Sequence, residues 1–344
     1  MSFFGMLGND LAIDLGTANV LISATGRGVI INEPCVVAVN AQSRRQVLAV
    51  GEEAKRMRGR TPEGIIAVRP MHEGVIADYD IAEIMLKHFI KKACRSFFSL
   101  VPPRICVAVP YGVTHVERRA VNEAVKGAGG REVFIIEEPM AAAIGAGLPI
   151  NDPSGSMIVD IGGGTLQSAV ISLGGIVTAN CLRMGGNRFD EAIIEYLKKE
   201  HNLLIGERTA EDVKINIGSA MQLSPVQTMT VRGRDLVTGY PRLIEINSDE
   251  VLEAMKEPLL DIIGTIKSTL ENTPPELAAD IIQRGIVMCG GGSLLSGLDT
   301  LVSIETGVPV YLAEKTYECV SQGAAKVLEN RELLDHLVSL AGEE

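Results

Sequence analysis

The sequence predicts an α/β fold built from two duplicated halves, and three observations carry that prediction. An apolar strand, an aspartate, a glycine-containing turn and a second apolar strand follow one another at residues 11–23, and the same order recurs at residues 157–172. After each of these hairpins, apolar strand-like runs alternate with helical patterns, which places helices on the faces of a sheet. The chain has 344 residues, more than one compact core takes easily, so two halves are expected. A unit that recurs once per half indicates a duplicated domain, because a solenoid needs three or more short units.

The elements follow in order. In the first half, residues 79–94 carry Ile81, Ile84, Met85, Phe89 and Ile90 at helical spacing. Residues 104–109 form a strand that stops at Pro110, 114–126 a helix, 133–136 a strand and 138–145 an Ala-rich helix. The second half repeats the scheme with a strand at 286–289, a helix at 294–302, a strand at 308–312 and a closing helix at 329–340. The halves are expected at 1–150 and 151–344. Polar, irregular stretches at about 33–74 and 181–244 are read as a smaller subdomain inserted into each. No low-complexity linker separates the halves, so they are expected to pack around a cleft, with the C-terminal helices folding back on the first half.

Composition narrows the classes. Hydrophobic residues make up 46% and charged residues 22%, an ordinary globular balance in which disorder is not the default. No apolar run approaches the roughly 18 residues of a spanning helix. The N-terminal Met1-Ser2-Phe3-Phe4-Gly5-Met6-Leu7 lacks the pattern of a secretory signal, so the cytoplasm is the expected compartment. The net charge of −11, with no basic stripe to offset it, argues against a nucleic-acid surface. Cys35, Cys94, Cys106, Cys181, Cys289 and Cys319 show no metal-ligand spacing and read as buried, reduced thiols.

Chemistry concentrates where glycines cluster. Gly16-Thr17-Ala18-Asn19 and Gly162-Gly163-Gly164-Thr165 each turn tightly after a strand that carries an aspartate, Asp14 or Asp160. One such turn is ordinarily just a turn. Two matching turns present backbone N–H groups from both sides, as a polyphosphate requires. Asp14 and Asp160 would then stand beside phosphates as anions, an arrangement that calls for a divalent cation such as Mg²⁺ between them. A third cluster, Gly290-Gly291-Gly292-Ser293, follows a strand and opens a helix, so its backbone can approach a ligand or simply make a tight βα turn. Neither a Gly-x-Gly-x-x-Gly fingerprint in a first βα unit nor a Gly-Lys-Ser/Thr loop is present, so a different nucleotide fold is expected.

These three segments resemble the first phosphate, second phosphate and adenosine motifs of the actin, DnaK-type chaperone and sugar-kinase superfamily. Within it, Asn32-Glu33-Pro34, Arg60-Thr61-Pro62, Arg69-Pro70-Met71, Gly74-Val75-Ile76-Ala77-Asp78, Val116-Glu117-Arg118-Arg119, Glu137-Glu138-Pro139-Met140-Ala141-Ala142-Ala143-Ile144-Gly145 and Thr273-Pro274-Pro275-Glu276-Leu277 are similar to the MreB family nearly end to end. The resemblance implies an actin-like fold of two ribonuclease-H-like halves around an ATP cleft. It also implies ATP and Mg²⁺ as ligands and a self-assembling filament that organises peptidoglycan synthesis, and so rod shape, at the inner face of the cytoplasmic membrane together with membrane proteins of the cell-elongation machinery. By position, Glu211 and Lys214 would contact the adenosine, and Glu138 would orient the attacking water. The family pattern after the glycines usually reads Thr-Thr-Glu, whereas this chain has Thr165-Leu166-Gln167, so ATP turnover is expected to be weakened with Gln167 as a second catalytic position. Asn187 replaces a commonly acidic position. Phe97, Phe98, Leu100 and Val101 match a membrane-inserting loop flanked by Lys91, Lys92, Arg95 and Arg104, and Phe3, Phe4, Met6 and Leu7 share one face if the N-terminus is helical.

Rival functions remain at this point. A plasmid- or organelle-positioning filament shares the polymer chemistry. A small-molecule kinase shares the phosphate clamps but needs a base and a substrate pocket that the sequence does not display. A chaperone needs a peptide-binding module after the ATPase region.

Overall fold

The computed structural model describes residues 10–43, 46–95, 101–330 and 332–335. The chain divides into two compact units, one running to Ile150 and taking in the chain from Tyr317 onward, the other spanning Asn151–Thr316.

In the first unit, β1 (Leu11–Leu15), β2 (Asn19–Ala24) and β3 (Gly28–Pro34) form an antiparallel meander. A small three-stranded sheet follows, made of β4 (Val37–Asn40), β5 (Val47–Val50) and β6 (Ile65–Val68), with α1 (Glu52–Met57) between the last two. After the short hairpin of β7 (Met71–His72) and β8 (Val75–Ile76) come α2 (Tyr79–Arg95), β9 (Arg104–Val109), α3 (His115–Gly127), β10 (Glu132–Glu137) and α4 (Glu138–Ala146). The main sheet has the order β10-β9-β1-β2-β3. Strand alternation sorts its residues by size. Leu11, Ile13, Leu15, Ile105 and Val107 point into a core shared with Ile81, Met85 and Phe89 of α2 and Val121 and Val125 of α3. The opposite face carries the small buried residues Ala12, Ser23, Cys106 and Ala108.

The second unit repeats this plan. β11 (Ser156–Ile161), β12 (Leu166–Ser172) and β13 (Gly175–Leu182) form the meander. Then come α5 (Gly186–His201), β14 (Leu203–Leu204), α6 (Glu207–Ile217), β15 (Thr228–Asp235), β16 (Pro241–Asn247), α7 (Ser248–Glu271), α8 (Pro275–Arg284), β17 (Ile286–Cys289), a 3₁₀ turn at Gly291–Leu294, α9 (Leu298–Thr306) and β18 (Val310–Leu312). The main sheet reads β13-β12-β11-β17-β18, so read from β18 it repeats the strand arrangement of the first unit. Asp14 pairs with Leu21 and Asp160 with Gln167, an offset of seven residues in both hairpins. Met157, Val159 and Ile161 enter the large core with α5 and α7, which leaves Asp160 on the other face, as Asp14 is in its own sheet.

The stretch expected to be irregular at 181–244 is largely regular, holding α5, α6, β15 and β16. Its polarity reflects elements with one wet side, such as β15, whose residues alternate between buried and exposed. The helix expected at 294–302 begins only at Leu298, because the glycine run closes a 3₁₀ turn and Gly297, at φ +72°, restarts the chain. Cys35, Cys106, Cys289 and Cys319 are buried as expected, but Cys94 is half-buried and Cys181 is exposed on the edge strand β13.

Helix α10 (Cys319–Glu329) belongs to the first unit and lies along α4 and β1. The helices meet backbone to backbone: a Cβ on Gly323 would fall 1.8 Å from the Ala141 carbonyl oxygen, and one on Gly145 would fall 1.8 Å from that of Cys319. The Ser23 hydroxyl donates to Ser321 Oγ at 3.1 Å in the buried layer between β2 and α10. Small residues on the sheet face and glycines in both helices are what this approach requires.

Candidate functional site

Each unit offers a tight loop beside an aspartate. In the first unit the loop runs from Gly16 to Asn19. A Cβ on Gly16 would meet the Asn19 carbonyl oxygen at 2.7 Å, so the turn closes only with glycine there. Thr17 is buried and its Oγ1 accepts the Gly74 N–H at 2.9 Å, while Asn19 Nδ2 donates to Asn32 Oδ1 at 2.9 Å. Ala18 is half-buried, and its carbonyl accepts the Cys35 N–H at 2.8 Å. These bonds fix the loop from behind. Asp14 is half-buried at the end of β1. Glu138 occupies the first position of α4, ahead of Pro139, and is buried to 6% exposure. A carboxylate there is favoured by the helix N-terminus.

In the second unit the loop is Gly162–Thr165, closed by the Gly162 N–H donating to the Thr165 carbonyl at 2.8 Å. Two further bonds tie it to α5: Gly186 N–H donates to the Gly162 carbonyl at 2.9 Å, and Asn187 N–H to the Gly163 carbonyl at 2.8 Å. The Ncap residue Gly185 has no side chain to cap α5, so the loop carbonyls satisfy the donors that open the helix. Because C=O and N–H are antiparallel in a trans peptide, the N–H groups of Gly163 and Gly164 point away from α5. The loop is thus held by its acceptors and presents its donors, the property an oxyanion needs. A Cβ on Gly185 would stand 2.4 Å from the Gly162 carbonyl oxygen, which explains that glycine.

Asp160 is buried and accepts the Cys289 thiol at 3.6 Å. Burial pushes its pKa up to about 6, and the thiol contact offsets this only in part. Gln167 stands directly opposite Asp160 across the β11–β12 pair and is 1% exposed. A Cβ on Gly290 would meet Asp160 Oδ1 and the Ile161 carbonyl oxygen, both at 2.4 Å, and one on Gly292 would meet Ile161 Cγ2 at 2.5 Å. Those two glycines let the third cluster fold onto β11. Gly291 and Gly292 are half-buried, and the hydroxyl of buried Ser293 donates to the Cys289 carbonyl. The structure therefore gathers Asp160, Gln167, Gly290, Gly292 and Ser293 at one end of β11 and β17.

Lys214 Nζ donates to the Gly186 carbonyl at 2.9 Å and pairs with the Asp190 carboxylate at 2.8 Å. Glu211 stands three residues earlier on the same side of α6, half-buried. Gly185, Gly186 and Asp190 were not singled out in the sequence, where only Gly185-Gly186 before a helical pattern could have signalled a loop tether. Of the apolar residues expected at a membrane, Phe3, Phe4, Met6, Leu7, Phe97, Phe98 and Leu100 lie outside the described residues, and Val101 is half-buried. Two of the flanking basic groups are engaged: Lys92 pairs with Glu33 at 2.7 Å, and Arg104 Nε donates to Asp10 at 3.0 Å.

Two α/β units with the same strand arrangement, each with an aspartate beside a tight loop, define an actin-like fold. Comparison with known proteins places the chain within that class. The family model for MreB/Mbl protein matches residues 8–336. The chain is 54% identical over 330 residues to the cell shape-determining protein MreB of Escherichia coli (strain K12), covering 95% of each. It is 51% identical over 330 residues to the cell shape-determining protein Mbl of Bacillus subtilis (strain 168), covering 96% of this chain and 98% of that one. Among solved structures, MreB5 of Spiroplasma citri bound to ADP superposes with a TM-score of 0.88 at 38% identity, over 94% of this chain and 96% of that one. The same protein bound to AMPPNP gives 0.88 at 36%, over 97% and 99%. The chain belongs to the MreB/Mbl family.

Proposed function

We propose that this protein is an ATP-binding cytoskeletal protein that assembles into filaments with its own copies and determines cell shape by organising peptidoglycan synthesis. The observation that carries the reading is the repeated aspartate-and-loop hairpin, with one register in both units, in a chain half identical to cell shape-determining proteins. Nucleotide-bound relatives of the same fold support ATP as the ligand.

The residues present fit a nucleotide and a divalent cation. Gly163 and Gly164 turn their N–H groups away from α5, and Gly16, Thr17, Ala18 and Asn19 form the matching loop of the first unit. Asp160, a carboxylate that burial drives toward its neutral form, gains its charge readily once a cation is near, and Asp14 stands at the equivalent strand position. Asp160 and Asp14 are the carboxylates that would hold Mg²⁺, which would supply charge neutralisation for the phosphate oxygens. Glu211, Lys214, Gly290, Gly291, Gly292 and Ser293 serve the adenosine. Glu138 holds and orients the attacking water, and Gln167 contributes a hydrogen bond without negative charge. Phosphate release is therefore expected to be slow.

We further propose that the filament lies at the inner face of the cytoplasmic membrane, held by Phe3, Phe4, Met6, Leu7, Phe97, Phe98, Leu100 and Val101, and works with membrane proteins of the elongation machinery. Each apolar patch is small, but a polymer repeats it and gains avidity. Electron microscopy after addition of Mg²⁺ and ATP tests the polymer; absence of filaments in a protein whose unfolding temperature rises with ATP would favour a small-molecule kinase of the same fold. Liposome co-sedimentation tests the membrane, and unchanged pelleting after Phe3, Phe4, Leu100 and Val101 are made polar would remove it.

A further inference from the structure

We propose that Asp190 is a positioning residue for the phosphate-binding loop, acting through Lys214 and the first turn of α5; the proposal rests on the nucleotide reading of that loop. Asp190 lies one turn into α5 and is 8% exposed, in a helix whose neighbouring positions Phe189 and Ile193 are core. A carboxylate in such a place is costly unless paired. Its partner is Lys214, reaching across from α6 at 2.8 Å. The same ammonium donates to the Gly186 carbonyl at 2.9 Å, so one cation joins Asp190 to the start of its own helix. That start is the segment whose N–H groups hold Gly162 and Gly163 by their carbonyls at 2.9 and 2.8 Å.

The linkage has no slack. Gly185 is packed so closely on the loop that even a methyl group would meet the Gly162 carbonyl oxygen at 2.4 Å. The α5 Ncap has no side chain to cap the helix, and its carbonyl accepts only the local Arg188 N–H at 2.9 Å, so the helix start is held on its other side by Lys214. What fixes the first turn is Lys214, and what fixes Lys214 on this side is Asp190. The ammonium donates to the Gly186 carbonyl and lies 2.8 Å from the Asp190 carboxylate as an ion pair, so its position is set by both. Lys214 is thereby the point at which a nucleoside on α6 and a phosphate at Gly163 and Gly164 touch the same group. Removing the Asp190 charge frees Lys214 to swing, loosens the first turn of α5 and lets the two loop peptides rotate. Phosphate contacts then weaken most, whereas adenosine loses only what Lys214 gives it and keeps Glu211 and the 290–293 turn.

The test compares Kd values for Mg²⁺-ATP and for adenosine, by calorimetry and by competition against a fluorescent ATP analogue. In Asp190→Asn the Kd for ATP is expected to rise about tenfold, the worth of one charge-assisted contact, with a smaller rise for adenosine, which keeps Glu211 and the 290–293 turn. Amide exchange without nucleotide is expected to quicken at Gly162, Gly186, Asn187 and Arg188, whose N–H groups carry the bonds of the loop and the first turn, and not elsewhere. In Asp190→Asn/Lys214→Met the ratio of ATP to adenosine affinity should fall no further than in Asp190→Asn alone, because the pair acts as one unit. Asp190→Glu, which keeps the charge on a longer arm, gives a smaller loss of the same sign and replaces the Asn variant if that does not accumulate. Equal losses for ATP and adenosine, or no loss in a protein whose parent binds ATP, overturn the proposal; a parent chain that binds no ATP overturns the nucleotide reading instead.

Discussion

Asp160→Asn separates the cost of the aspartate from its use. In the ligand-free protein the carboxyl is buried, and burial lifts its pKa from 3.8 to about 6. The folded state then holds the proton more tightly than the unfolded chain. The sign follows: the group costs nothing below about pH 4, and stability is lost as pH rises, with the loss complete above about 6. A shift of about two units corresponds to about 3 kcal/mol, of which about 2 falls between pH 4.5 and 7.5. Asparagine keeps an acceptor for the Cys289 thiol and has no charge to bury. Urea unfolding of both proteins at the two pH values isolates the term, since every other carboxylate titrates alike in the pair. The stability difference is expected to move by about 2 kcal/mol in favour of the variant between pH 4.5 and 7.5, while its Mg²⁺-dependent gain in unfolding temperature with ATP is lost. A difference that stays flat with pH would show that the carboxylate is not penalised by burial, and an undiminished Mg²⁺-ATP shift would show that it holds no cation.

Gln167→Glu places a second carboxylate directly across the strand pair from Asp160, so the ligand-free protein should lose about 1–3 kcal/mol at neutral pH and regain it with Mg²⁺-ATP; unfolding curves that match the parent in both conditions refute this. Phosphate release should rise in that variant and fall by about 10²–10⁴-fold in Glu138→Ala, measured where each forms filaments; no effect of Glu138→Ala would reject its catalytic assignment. Gly185→Ala forces the loop off α5 and should abolish ATP stabilisation at a cost of about 1–3 kcal/mol in the free protein, read by thermal unfolding with and without nucleotide. Gly323→Ala drives a methyl group into the Ala141 carbonyl and should cost about 3 kcal/mol or more, scored as lost accumulation of folded protein.

The halves and their hairpins were legible because their signal is local. Ile105 to Val109 is an unbroken apolar run stopped by Pro110, and Leu11 to Val20 places an aspartate at a fixed distance from a glycine turn. What escaped reading depends on contacts distant in sequence. Cys181 resembles its buried counterparts in an apolar stretch, yet β13 is an edge strand, and only the strand order says so. The glycines at 290 and 292 read as room for a ligand or as a tight turn, and the sequence could not show that Asp160 and Ile161 also pack against them. Asp190 looks like one more acid on a helix until Lys214 arrives from α6.

The way α10 seats against α4 bears on the order in which the molecule is made. Residues up to Ile150 need Cys319 to Glu329 to cover the small-residue face of their sheet, whereas Asn151–Thr316 is a continuous stretch. On a ribosome the second unit can close while the first still waits with Ala12, Ser23, Cys106 and Ala108 uncovered. At ordinary elongation speeds that wait lasts on the order of 10–30 s. Throughout it the nascent chain exposes a small-residue sheet face beside the open edge of β10, a surface to which chaperones and neighbouring nascent chains have access, and α10 acts as the stopper that ends the exposure.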